Sequence, residues 1–317
     1  MGNSGSRAPA LLGKTRVPDF EWKIHDFSAL VDTKATSVVS GPFHCCGHQW
    51  SLKVSPMHTK PFGGTPYVAL GLLLQKKICM EKDHTVHAVF ELSIYNHSDG
   101  MYCGAKVSHS FDFKNYMSNM ECLIPLQELL RSSDFLVDDS CVFGVEILKL
   151  DVSSPEKKSD VVQKKATTVQ NLFVQKKGFI KGTYTWTMNN FLELDSKHSV
   201  RSRSFKVGGH EWHISMYPCG DKYSTDCLSL SLHLHASDDL PPGSGMAVEM
   251  TLSILDQKNG KHFSVTSGLV VFSASSSWGW SNFFPLKNLR DPSGGYLIES
   301  NCVVKADFTI FGSSNHG

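Results

Sequence analysis

Apolar and polar residues alternate with a period of two along much of this chain. Leu228, Leu230, Leu232 and Leu234 are separated by Ser229, Ser231 and His233. Met246, Val248, Met250, Leu252 and Ile254 are separated by Ala247, Glu249, Thr251 and Ser253, and Trp50, Leu52 and Val54 by Ser51 and Lys53. A strand sends successive side chains to opposite faces, so the pattern predicts antiparallel strands with one face in a core and the other toward solvent. Polar clusters such as Tyr95-Asn-His-Ser-Asp-Gly100 and Asp256-Gln-Lys-Asn-Gly260 break these runs. Many short strands between such breaks predict an all-β sandwich. Helix is expected to be minor, with one turn at Pro125-Leu-Gln-Glu-Leu-Leu130 and the proline in its first position.

The pattern occurs twice. Phe20-Glu-Trp22-Lys-Ile24-His-Asp-Phe27 is matched by Tyr184-Thr-Trp186-Thr-Met188-Asn-Asn-Phe191. The block from Phe43 through Gly47, His48 and Trp50 to Pro56 is matched, at identical spacing, by Phe205 through Gly209, His210 and Trp212 to Pro218. Ser93-Ile94 answers Ser253-Ile254, Ile124-Pro125-Leu126 answers Phe284-Pro285-Leu286, and Phe135-Leu136 answers Tyr296-Leu297. A unit of about 130 residues is too long for a solenoid repeat and suits a duplicated domain. The expected organisation is a disordered tail at 1–17, a first domain at 18–150, a solvated Lys-rich linker at 151–180 and a second domain at 181–314.

The second copy carries Tyr184-x-Trp186, then Phe205-x-x-Gly-Gly209-x-x-Trp212-x-Ile214-x-x-Tyr217-Pro218-x-Gly220, the strand Leu228-Ser-Leu-Ser-Leu232, and Trp278-Gly-Trp280 before Phe284-Pro-Leu286. These residues resemble a MATH (meprin and TRAF homology, TRAF-C-like) domain. The tandem arrangement, with Gly294-Gly-Tyr-Leu297, is similar to plant TRAF-like proteins, and the first copy is degenerate. The resemblance implies two antiparallel eight-stranded β-sandwiches without catalytic activity, acting as a protein-interaction adaptor. It also implies that an extended partner peptide lies across one sheet as an added strand.

Carried over by position, the resemblance places Trp278 and Trp280 on the binding groove of the second domain, with Ser231, Val270 and Ser276 beside them. Adaptor members usually have tyrosine where Ser231 and Val270 stand and lysine where Ser276 stands, so this groove is expected to hold fewer aromatic anchors. The first copy departs further, with Gly71 at the tyrosine position and Ser118-Asn119-Met120 in place of Trp-Gly-Trp, and is not expected to bind the same ligand. Trp22, Trp50, Trp186 and Trp212 sit among alternating apolar residues and are expected in the core. Trp278 and Trp280, two apart, face the same way in a strand, either as a recognition surface or packed against the sandwich edge.

Charge and composition narrow the partners. The chain has 317 residues, 31 Lys+Arg against 30 Asp+Glu, and 41% hydrophobic residues, a globular composition with no global attraction to nucleic acid. No apolar run is long enough to span a bilayer, and no secretory signal is evident. The nine scattered cysteines then read as reduced thiols in the cytosol. Met1-Gly2-Asn3-Ser4-Gly5-Ser6 fits the N-myristoylation pattern at Gly2, which would add weak, reversible membrane association.

Other chemistry finds little footing. His44-Cys45-Cys46-Gly47-His48 has metal-ligand residue types, but adjacent cysteines on a strand point to opposite faces, so structural filling is expected. His233 and His235 share a face without an apparent third ligand. There is no nucleophile elbow, zincin helix, phosphate loop or dinucleotide fingerprint. The expectation is a non-enzyme without metal or cofactor whose partners are proteins, with homo-oligomerisation open. A link to the ubiquitin pathway follows by family analogy only. The rival readings are a metal-dependent or Cys/His enzyme and a carbohydrate-binding sandwich using Trp278 and Trp280.

Overall fold

The computed structural model describes residues 12–14, 17–61, 63–75, 85–153, 166–194, 198–221, 224–235 and 240–317. The chain divides into two compact units, one of residues 1–176 with 314–317 and one of residues 177–313. Each is an antiparallel β-sandwich, as the two-residue period requires.

In the first unit one sheet runs β1 (Leu12–Lys14), β8 (Met101–Phe111), β7 (Thr85–Asn96), β10 (Cys141–Ser153), β2 (Phe20–His25) and β11 (Thr168–Val174). In the other, β3 (Val38–Val39) and β4 (Phe43–Cys45) both pair with β5 (His48–His58), followed by β6 (Tyr67–Leu74) and β9 (Glu121–Pro125). In the second unit β12 (Ile180–Met188) pairs with β21 (Asn301–His316), which is followed by β17 (Gly245–Ile254) and β18 (Phe263–Ser273), and β20 (Leu297–Ile298) adds to β21. Facing it, β13 (Val200–Arg201) and β14 (Phe205–Val207) pair with β15 (His210–Tyr217), then come β16 (Cys227–Leu234) and β19 (Ser277–Pro285).

The sequence duplication reappears as duplicated geometry. Phe20 stacks on Phe43 at 4.1 Å, and Tyr184 on Phe205 at 4.0 Å. Trp50 meets Phe111 edge-on at 5.1 Å, and Trp212 meets Phe272 at 5.4 Å. Each indole N–H donates back across its hairpin, Trp50 to the Cys45 carbonyl at 3.1 Å and Trp212 to the Val207 carbonyl at 3.2 Å. The Ser40 hydroxyl accepts the Leu52 N–H, and the Ser202 hydroxyl accepts the Ile214 N–H, both at 2.9 Å. A buried indole with its N–H satisfied contributes area without an unpaired donor, which is why these positions tolerate a tryptophan at zero exposure. Trp22 is also fully buried, though its indole N–H has no partner, whereas Trp186, in the outermost strand of its sheet, is half-buried.

The helical turns follow Pro125 and Pro285, as α2 (Leu126–Leu129) and α3 (Leu286–Leu289), the proline capping each rather than opening it. The remaining helix, α1 (Phe27–Asp32), buries Phe27, Ala29 and Leu30.

Three expected boundaries are corrected. Residues 151–180 are not all linker, because β10 runs to Ser153 and β11 joins the first sheet, parallel to β2 from Thr168 opposite Phe20 to Phe173 opposite His25. Gln170, Leu172 and Val174 are buried, an alternation that the flanking lysines mask in composition, and residues 154–165 lie outside the described ones. The second domain ends before 314, because 314–317 belong with the first unit, where the Ser314 hydroxyl donates to the Asn171 carbonyl and the Gly317 N–H to that of Val169. Within the expected disordered tail, β1 pairs with β8, and Gly2 lies outside the described residues. Among the described residues no helix is long and apolar enough to cross a membrane.

Candidate interaction site

The second unit's β15–β16–β19 sheet has two faces, and the register assigns every side chain to one of them. Directly opposed residues in an antiparallel pair share a face. Leu230 opposes Trp280 and Leu232 opposes Trp278, and both leucines are buried in the core. The two tryptophans therefore turn inward, half-buried against the core at the sandwich edge, with Trp280 at 5.8 Å from Phe283. This corrects the expected groove, in which Trp278 and Trp280 stood beside Ser231.

The residue between them explains the arrangement. Gly279 opposes Ser231, and a Cβ on it would collide with the Leu230 carbonyl and the Ser231 backbone. Only glycine lets β19 approach β16 this closely, so Trp-Gly-Trp is a packing device with its bare backbone facing outward.

Val270 is displaced from the groove altogether. It lies in β18, in the opposite sheet, opposes Val248 and is buried in the core. Ser276 sits in the β18–β19 turn, donating its N–H to the Ser273 carbonyl and accepting the Leu234 N–H at 3.0 Å, while its hydroxyl is buried without a partner. Of the five expected residues, only Ser231 faces outward on this sheet.

Around Ser231 the outer face is polar. Across the strands it reads Ser215, Ser231 and Gly279 in one row and His213, His233 and Ser277 in the next, with Tyr217 and Ser229 below. The Ser231 hydroxyl lies 3.0 Å from His233 Nε2, and the Ser229 hydroxyl donates to the Ser281 carbonyl at 2.7 Å. His213 stacks on His233 at 4.7 Å and meets His235 edge-on at 4.7 Å. Burial, followed by His235 and Arg201, holds the His213 imidazole below its ordinary pKa, so it stays neutral more readily than a solvated histidine. Its two nitrogens are buried without a hydrogen-bond partner. Lys206 and Glu211 form an exposed pair at 3.8 Å at the end of the face.

Sequence reasoning paired His233 with His235 and missed His213. The signal is the position after Trp212, but it becomes visible only when β15 is set in register with β16. Among the described residues no group of three or more His, Cys, Asp or Glu side chains is arranged to hold a metal ion.

The sheet ends at β19, nine residues long, with β16 on one side and no strand on the other among the described residues. An edge strand of this length presents a row of N–H and C=O groups to an incoming chain.

The MATH domain family matches residues 19–147 and 183–308, most of both sandwiches. Relatives come from Arabidopsis thaliana. Ubiquitin C-terminal hydrolase 12 is 30% identical over 50% of this chain and 14% of its own length. TNF receptor-associated factor homolog 1b is 33% identical over 39% of this chain and 12% of its own. A MATH domain and coiled-coil domain-containing protein is 30% identical over 41% of this chain and 40% of its own. The chain thus spans less than half the length of each of these relatives.

Proposed function

This chain belongs to the MATH domain family, and we propose that it is a non-catalytic adaptor whose second unit captures extended segments of partner proteins. The segment adds as a strand along the open edge of β19, its backbone bonding to that edge. Alternate side chains then reach the outer face over Ser231, Ser277 and His233. Backbone pairing supplies affinity, and the serine–histidine face supplies selectivity. Trp278 and Trp280 act from the inner side, fixing the edge so that it does not deform when a partner docks. The observation that carries this reading is the nine-residue edge strand, left open among the described residues, beside a polar face.

Its place in ubiquitin-linked signalling is proposed from the relatives' names alone. A cytoplasmic setting is proposed from the thiol-rich sequence, with Gly2 as an acylation site that adds weak membrane contact.

The test uses the full chain in a display screen of random peptides, repeated with Ser231→Trp, which covers the outer face without entering the core. Peptides selected by the wild-type chain should bind the variant at least about tenfold more weakly at unchanged melting temperature. Equal binding would move the site elsewhere.

A further inference from the structure

Cys45 and Cys46 close the β4–β5 hairpin, and the second unit shows what that turn asks for. Its two central positions need left-handed backbone, supplied by Gly208 (φ 63°) and Gly209 (φ 84°). In the first unit Gly47 (φ 76°) takes the second position, and Cys46 (φ 51°) takes the first. A side chain with a Cβ adopts this region at a cost of about 1–2 kcal/mol.

The left-handed backbone also redirects the thiol. Neighbouring strand residues point to opposite faces, which is the basis for expecting Cys45 and Cys46 to be separated. Cys46 is in the turn rather than the strand, and its Sγ comes within 3.5 Å of the Cys45 Sγ. The two thiols differ in environment. Cys46 is exposed, whereas Cys45 is buried at 7% exposure. Burial, then the Asp19 carboxylate and the neighbouring thiol, push the Cys45 thiol well above its ordinary pKa. Asp19 is itself fixed by accepting the Ile147 N–H at 2.7 Å.

We infer that Cys45 and Cys46 form a vicinal dithiol that a hydroperoxide oxidises to an intrachain disulfide, a modification site separate from the peptide-binding edge. The exposed Cys46 thiolate attacks the terminal peroxide oxygen and the O–O bond breaks. Water or an alcohol leaves, and a sulfenic acid remains on Cys46. The Cys45 sulfur, losing its proton to the Asp19 side or to solvent, then attacks the Cys46 sulfur. The S–O bond breaks, and hydroxide leaves and takes up a proton as water. Two thiols are oxidised by two electrons, and the peroxide is reduced by two. Cys45 is the resolving partner because its burial and raised pKa make it the poorer first nucleophile. Adjacent residues hold their Cα atoms at about 3.8 Å, closer than the usual disulfide span of about 4.4–6.8 Å, so the ring is strained and readily reduced.

The experiment treats the full chain with hydrogen peroxide, blocks free thiols with an alkylating agent and reads the tryptic peptide 35–53, which contains only these two cysteines. The expected result is loss of the mass of two hydrogens with no alkylation, reversed to two alkylatable thiols by dithiothreitol. Cys45→Ser should stop at a dimedone-reactive sulfenic acid on Cys46, and Cys46→Ser should leave the peptide unchanged at the same dose. The inference is overturned if the wild-type peptide keeps both thiols, if it takes up oxygen without closing, or if its cysteines pair with other peptides.

Discussion

Each unit has its own core, built on the same repeated contacts, and the two differ at one edge. In the second unit the strand leading into Phe284-Pro285-Leu286 is β19, nine residues paired to β16 through Gly279. In the first unit the strand leading into Ile124-Pro125-Leu126 is β9, only five residues long. The residues before it continue along β6 only as an isolated bridge, with the Leu74 N–H donating to the Tyr116 carbonyl and the Ser118 N–H to the Leu72 carbonyl, both at 2.9 Å. Met117 bridges to Leu73, and the Ser118 hydroxyl accepts the Leu72 N–H at 3.0 Å. The Met120 sulfur lies where a Cβ on Gly71 would approach it to 2.8 Å, and Lys53 Nζ sits 3.8 Å from the Met117 sulfur. The first unit thus covers with its own methionines the face that the second leaves polar. Duplication preserved the paired aromatics and the indole hydrogen bonds, which the fold needs. The edge strand lies outside those repeated contacts, and its packing through Trp278, Gly279 and Trp280 is particular to the second unit.

The largest expected effect breaks the shared part. Trp50→Ala and Trp212→Ala should each cost about 3–5 kcal/mol, because each deletes a fully buried indole and its bond to a hairpin carbonyl. Denaturant titration checks this. A large loss for one variant beside a trivial loss for the other would deny that the cores are equivalent.

Smaller and unequal effects are expected at two glycines. Gly279→Ala should destabilise by about 1–3 kcal/mol, because its Cβ meets backbone that cannot move away. Gly71→Ala crowds the flexible Met120 side chain and meets Ser118 only at ordinary contact distance, so it should cost less than Gly279→Ala in the same titration. Equal costs would remove the close approach of β19 as a distinguishing feature.

A pH titration sharpens the contrast further. His213 and His48 both have lowered pKa values, His48 from burial alone and His213 from burial with His235 and Arg201 beside it. The unfolded chain takes up a proton below about pH 6.5 while the folded histidine resists it, so the contribution of each is present above that value. It is lost as pH falls through the lower folded pKa. Replacing His213 with Gln should flatten the acid-side loss of stability, measured as the denaturation midpoint between about pH 7 and pH 5. An unchanged slope would show that the histidine cluster titrates as if in solvent.

The smallest effect is expected at a pair that both units repeat. Lys149–Asp151 and Lys305–Asp307 each span 2.8 Å on exposed surface, and removing either lysine should leave the denaturation midpoint unmoved.

The duplicated sandwich was legible because alternation and spacing are local. Which way an edge strand faces was not. The spacing of Trp278 and Trp280 says that they share a face, but only the register against Leu230 and Leu232 says that the face is the core. Position alone assigns Val270 to the groove, although it lies in the continuous apolar run Leu269-Val-Val-Phe272, all of it buried. Cys46 reads as a strand residue because a two-residue turn normally announces itself with glycine or asparagine, and here a cysteine holds the first position. Strand β11 was hidden by lysines on either side of a short buried alternation.

Amide hydrogen exchange on the full chain, with and without a peptide selected from the display screen, tests the central claim most directly. The account predicts added protection in residues 277–285 on binding and none in residues 121–125. Protection confined to 121–125, or a bound peptide that leaves both edges unchanged, would contradict it.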